Sequence, residues 1–419
     1  MLWNKNLSIV FMKVPTQNKL FIPVAIFVVV LLLAALFFWS KYDYGQHDDY
    51  EKYVKTVMEA CAGKAWKPSC YDTEIPKLLG KISMEAAFEV TRMIQKKDPA
   101  YLYCHVLAHN IASRETAKDP SHWMDVIPRC PMTMCNNGCP HGALMERFKS
   151  ESLTSEQVNS VLSDLANACE PRGSWHPLEI ERSMCYHGLG HLAMYITDAD
   201  INKAADVCED IGVKSDGRNY IQTCTEGVYM SIYQPLEPED FALVKGITPK
   251  KEELKSFCSK YVGQRRDICW REGWPLYREE LTADPKKLVT FCGQESNEIE
   301  QKKCYGTALN FLTVQFVMDR GDNVGMEAYC NGLPRDLKRL CFANVARRLV
   351  QIDPQLSKKA LGFCNEASKT EDGDECYKTM AEFGSWTFRS GSAASSEYCD
   401  LFPEIWQKVC RFAGSRVPT

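Results

Sequence analysis

The chain lacks most of the signatures that name a chemistry. Its 419 residues contain no glycine-rich phosphate loop, no Gly-x-Ser-x-Gly elbow and no His-Glu-x-x-His helix. The readable nucleotide, serine-hydrolase and metalloprotease sites are therefore absent. No basic block stands out and the net charge is −4, which leaves no electrostatic footprint for nucleic acid. Continuous alternation of apolar and polar residues is missing, so nothing predicts a strand-built core. The sole Asn-x-Ser/Thr sequon is Asn6-Leu7-Ser8. A long eukaryotic ectodomain would often carry more, and the scarcity leans towards a bacterial envelope protein.

One more absence concerns charge. Residues 20–39 contain no charged side chain, and a run of this length is enough to cross a bilayer as a helix. A cleaved signal peptide would be shorter and would end on small residues. Here Phe37, Phe38 and Trp39 close the segment and no lipobox cysteine follows, so an uncleaved signal anchor is expected. Lys5, Lys13 and Lys19 precede the span without an acidic residue, whereas Lys41, Asp43, Asp48, Asp49 and Glu51 follow it. The positive-inside rule then predicts a single-pass topology. Residues 1–19 form a cytoplasmic tail, 40–55 a polar stalk and 56–419 an extracytoplasmic domain, and the part beyond the span has a net charge of about −7.

What the chain has in abundance is cysteine, twenty in all. Ten fall on a ladder: Cys70, Cys104, Cys139, Cys185, Cys224, Cys269, Cys304, Cys341, Cys376 and Cys410, at intervals of 34 to 46 residues. Nine of these have a second cysteine 9 to 16 residues upstream. Self-similarity at such a period signals stacked supersecondary units. The exception is Cys104, where Lys96, Lys97 and Asp98 occupy the place of its partner, and the next repeat carries an extra cysteine, Cys135. An orphan beside an extra suggests nine bridges within repeats and one between neighbours, Cys104–Cys135, although sequence alone leaves other connectivities open. Such a framework belongs in an oxidising compartment, in agreement with the topology. A zinc knuckle at Cys135-Asn-Asn-Gly-Cys139-Pro-His141 would lack its second close cysteine pair.

Apolar residues recur at helical spacing, as in Val90, Met93 and Ile94, or Ala308, Phe311, Leu312 and Phe316. Polar loops rich in Gly, Asp and Lys separate them, and Pro140 suits a first helical position. The expected fold is all-α, a solenoid of disulfide-stapled helical hairpins behind one N-terminal transmembrane helix. From Cys61 onwards this pattern resembles the cysteine-rich SEL-type repeats, secreted bacterial helical hairpins with an internal disulfide. The chain departs from them in its variable period and in lacking a regular Gly-rich loop between repeats. The resemblance implies the fold class and names no chemistry.

Five of the eight histidines are expected at the start of three successive second helices: Cys104-His105-Val-Leu-Ala-His109, Cys139-Pro-His141-Gly142 and Cys185-Tyr-His187-Gly188-Leu-Gly190-His191. The two repeats after them place Glu226-Gly227 and Glu272-Gly273 near the same register, and the series then stops. His105 and His109, and likewise His187 and His191, are four residues apart, so each pair shares a helix face. Paired imidazoles one turn apart are a common way to hold a transition metal. Equivalent positions on neighbouring repeats line one wall of a solenoid, and Gly142 and Gly188 are expected to permit close approach.

The expected centre is a metal site of His105, His109, His141, His187 and His191, in the N-terminal half. Iron, zinc and copper all accept imidazole, so the ion is not specified. Glu146, Glu226 or Glu272 would be the general base, with water or oxygen on the metal as reactant. A metal-free ligand pocket and a purely structural histidine cluster remain open, as do one site or two, because His105 and His187 lie two repeats apart. The competing function is a non-enzymatic scaffold holding an envelope protein, peptide or glycan. His122 and His176 read as exposed loop residues, Trp274 and Trp386 as core aromatics, and spacing gives Arg271 no role.

Overall fold

The computed structural model of the protein describes residues 50–414 apart from 99–100, 102–103, 132–133, 136–137, 149–152, 236–237 and 370–372. The apolar run 20–39, its lysine flank and most of the stalk lie outside the described residues. No helix among the described residues is long and apolar enough to cross a membrane. The chain divides into two compact units, Met1–Lys55 and Thr56–Thr419. The second carries all ten disulfides.

This second unit is all-α, and among the described residues only two isolated bridges, Arg172–Trp175 and Val213–Asn219, show extended pairing. Local chemistry explains the helix starts. Thr154 and Gln157 form a reciprocal capping box at Ser155–Ala168, and Asp200 caps Ile201–Gly212 by accepting from the Lys203 amide. That second helix buries Ile201, Ala204, Ala205, Cys208 and Ile211, an apolar stripe at three- and four-residue spacing.

Every cysteine is paired, and the pairing matches the sequence expectation bridge for bridge. Nine disulfides close loops of 9 to 16 residues within a helical pair. The tenth joins Cys104 to Cys135 across 31 residues. Cys104 immediately precedes the helix beginning at His105, so this bridge fixes the start of the first histidine-bearing helix. Replacing Cys104 and Cys135 together by alanine is expected to lower unfolding free energy by about 3.7 kcal/mol, the chain-entropy value for a loop of this length. Urea unfolding under oxidising conditions would measure the loss, and an unchanged midpoint would refute the assignment.

The second helices of successive pairs are α1 (His105–Thr116), α2 (Gly138–Phe148), α3 (Glu179–Ile196), α4 (Ile221–Tyr233), α5 (Gly263–Glu272), α6 (Glu298–Thr313), α7 (Arg335–Ile352), α8 (Gly373–Thr387) and α9 (Glu404–Gly414). Each packs on the next. Two details differ from the sequence expectation. The helix at Cys139 starts at Gly138, so Pro140 is inside its first turn rather than at its first position. Cys185 and His187 lie in the middle of the 18-residue α3, because Glu179–Met184 extend the helix upstream.

The series does not run straight. Helix α8 returns to pack against α3. Gln351 on α7 donates its amide to the Met184 sulfur at 3.8 Å, and Arg389 donates to the His176 carbonyl at 2.7 Å. The stack therefore curves round and encloses a cavity of about 1440 Å³.

Candidate metal centre

Glycine sets the spacing of the histidine-bearing helices. A Cβ on Gly138 would lie 2.3 Å from the His105 carbonyl oxygen, and one on Gly142 would lie 2.3 Å from that of His109. Helices α1 and α2 thus meet backbone to backbone. Gly190 and Gly227 do the same for α3 and α4, where a Cβ on Gly190 would come within 1.8 Å of the Cys224 oxygen. A Cβ on Gly188 would strike the His141 ring at 2.4 Å. The bare backbone at Gly188 therefore makes the room that ring occupies.

The five histidines come together on one wall of the cavity. His141 is the hub, with ring centroids 5.3 Å from His105, 5.5 Å from His109, 5.8 Å from His187 and 5.4 Å from His191. Each pair four residues apart has centroids at 4.9 Å. One ring nitrogen from each of His105, His109 and His141 lies within 4.8 Å of the others, so these three form a cluster that can hold a metal ion. The distance between the repeats of His105 and His187 is bridged by His141 rather than closed by curvature alone.

The tautomers follow from the outer partners. His187 Nδ1 faces the Thr223 carbonyl at 3.3 Å, and a carbonyl only accepts, so Nδ1 carries the proton. Ser231 spends its hydroxyl proton on the Gly227 carbonyl and therefore accepts from His191 Nδ1 at 2.8 Å. Both Nε2 atoms are left with lone pairs, and they face each other at 3.2 Å. His141 Nε2 donates to the Met184 carbonyl at 3.2 Å, which frees Nδ1. The His109 Nε2 atom is buried and has no hydrogen-bond partner. Such outer partners fix the ring orientation of metal-ligating histidines.

Burial holds the imidazoles of His109, His141 and His191 well below their usual pKa, with the neighbouring histidines adding to the effect. His187 is lowered by the same cause, opposed by Glu226. Neutral rings keep the lone pairs that a cation needs.

The three carboxylates line the same cavity but differ in their surroundings. Glu226 accepts from Arg271 Nη2 at 2.7 Å and from Gln222 at 2.9 Å. Arg271, given no role by spacing, is fully buried and also donates to Glu300 at 2.9 Å. Glu272 ends α5, and burial, followed by the Glu226 charge, pushes its pKa up to about 8. Glu146 is half-buried on α2. His122 and His176 are exposed, as expected, and Trp274 is buried. Trp386, expected in the core, is 51% exposed and borders the cavity.

Sequence reasoning confined the site to the N-terminal half, whereas α6 to α8 supply a second wall through Asn310, Asn344, Arg347, Arg348 and Phe383. The π-helical turn Val314–Asp319 joins that wall, and such turns are frequent at functional sites. Ser231, Thr223 and Met184 were also missed. Two of these three act through backbone carbonyls, which leave no trace in residue type.

Beyond the cavity, both oxygens of Glu295 are buried, and the carboxyl lies beside Asp267, to which it can donate only when protonated. Burial first, and the adjacent Asp267 second, push its pKa up to about 9. The folded state therefore holds a proton that the unfolded chain has lost above about pH 4.5. Stability contributed by this group is full below that value and declines as pH rises towards 9. Glu295→Gln is expected to raise stability relative to wild type by on the order of 2–4 kcal/mol at pH 9, and hardly at all at pH 4. Thermal melts at both values check this; a gain confined to the acid side would contradict it.

No family model, no curated protein and no solved structure matches the chain. The fold and site define an all-α, disulfide-rich protein with a three-histidine cluster able to hold a metal.

Proposed function

We propose that this is a membrane-anchored, extracytoplasmic helical-repeat protein that binds a transition metal through the five histidines. The observation that carries the reading is the pair of Nε2 lone pairs on His187 and His191, directed at each other across 3.2 Å in a buried site. Neutral lone pairs repel at that distance, and burial opposes a shared proton because it would charge the pair. A cation between them resolves the conflict. The orphaned Nε2 of His109 supports the same conclusion in the neighbouring triad.

A neutral, all-imidazole donor set suits zinc, copper or iron. When bound, the ion would supply Lewis acidity or redox capacity to a ligand in the cavity. Around it, Glu272 can deliver a proton near neutral pH, and Arg271 holds Glu226 in one orientation. Glu146 is the third carboxylate available as a base. The ten disulfides support an oxidising environment. The uncharged run 20–39 behind three lysines supports anchoring with the repeats outside the cytoplasm, in a bacterial envelope.

The test is metal content. The protein would be produced with its disulfides formed, purified without a polyhistidine tag, dialysed against zinc, copper or ferrous iron, and analysed by mass spectrometry. About one to two tightly held equivalents of one ion are expected. Retention of none would sink the metal reading and leave the cavity as a scaffold for an envelope protein, peptide or glycan.

A further inference from the structure

A second wall of the cavity carries a cation that nothing in the metal reading uses. Arg347 lies on α7 and lines the cavity. Its Nη2 donates to Asn344 Oδ1 at 3.0 Å and to Asn310 Oδ1 at 3.3 Å. Both acceptors are neutral, and among the described residues no carboxylate forms an ion pair with it.

The contrast with Arg271 is informative. That fully buried arginine is neutralised by two carboxylates, Glu226 and Glu300. Arg347 is positioned and left charged. Asn344 donates its own amide to the Leu340 carbonyl at 2.8 Å, which turns its oxygen towards the guanidinium. The Phe383 ring lies 5.9 Å from the guanidinium carbon. The cation is thus held from three sides by groups that orient it.

Burial and the neighbouring Arg348 push the Arg347 pKa down to about 10, which leaves it charged at neutral pH. The Arg348 charge also reaches His187 across the cavity. Arg347 is part-buried, and its unbonded nitrogens stay open to the cavity, where a bound anion would find them uncompensated by any carboxylate. A guanidinium with free edges matches the geometry of an oxyanion.

We propose that Arg347, oriented by Asn310 and Asn344, is the seat for the anionic head of a small organic ligand, a carboxylate or phosphoryl group. The ligand's body would fill the cavity towards the histidines. The seat itself needs no metal; only the placement of the body rests on the metal reading.

Inorganic phosphate and succinate are the probes, titrated calorimetrically into the full chain with its disulfides intact, both as purified and after chelation. Saturable binding of one equivalent is expected in both states. Arg347→Gln should weaken it at least about tenfold, and Arg347→Lys should weaken it less, since charge survives but the planar fork does not. The exposed Arg335 serves as control, and Arg335→Gln should change nothing.

Should Arg347→Gln fail to fold, Asn310→Asp replaces a neutral acceptor with a near-isosteric internal carboxylate. It should abolish anion binding while preserving the fold. Absence of binding by the wild type, or binding undiminished in folded Arg347→Gln or Asn310→Asp, would overturn the proposal. Binding lost on chelation with Arg347 intact would also overturn it, by placing the anion on the metal. Binding that depends on Arg347 in a protein found to hold no metal would instead sustain the seat and retire the metal reading.

Discussion

Protein carrying His141→Gln is expected to lose both halves of the metal centre, with affinity falling at least about 100-fold. His141 is the ring that contacts all four others, at centroid distances of 5.3 to 5.8 Å. One of its ring nitrogens belongs to the triad with His105 and His109, and its ring centroid lies 5.8 Å from that of His187 and 5.4 Å from that of His191. Glutamine is the informative replacement. It nearly preserves volume, and its amide can still donate to the Met184 carbonyl as His141 Nε2 does. Packing is retained and a ligand is removed. Equilibrium dialysis with mass-spectrometric metal analysis reads the result. Wild-type stoichiometry and affinity in a folded His141→Gln protein would show that the histidines pack without coordinating.

The second large effect is on stability, and it begins at a residue with no side chain. Gly142→Ala would place a methyl group 2.3 Å from the His109 carbonyl oxygen and 2.7 Å from its Cα. Both contacts are backbone, so no flexible side chain can move aside. Helices α1 and α2 must separate, and the cost is expected to be about 3 kcal/mol, at the upper end for overpacking. The separation would also carry His109 away from His141, so metal affinity should fall although no ligand has changed. Gly80→Ala is the control, since a Cβ there meets nothing within 4 Å. Chemical denaturation and metal titration on both variants would decide the matter. A Gly142→Ala protein as stable as wild type would mean that the helices do not meet this closely.

The sequence carried the covalent plan unusually far. Nine cysteine pairs recur at short, regular separations, and the two left over could only be Cys104 and Cys135 once the nine were set aside. Helix class was legible because the apolar residues follow a helical period, and the oxidising compartment because every thiol has a partner. The five histidines were legible as a set, since their register repeats and then stops. The spacing of four residues places each pair on a common helix face.

Only the tertiary structure decided how those faces meet. Backbone contacts at Gly138, Gly142, Gly190 and Gly227 bring the helices together, and sequence marks a glycine without saying what approaches it. The tautomers of His141 and His187 depend on the carbonyls of Met184 and Thr223, groups every residue possesses. Arg347 lies some 160 positions from His187 in the chain, and with α8 returning onto α3 both line one cavity. A local period specifies each helical pair. The small rotation between successive pairs is set by side-chain and backbone contacts, and its sum over the whole stack determines which distant residues share a cavity.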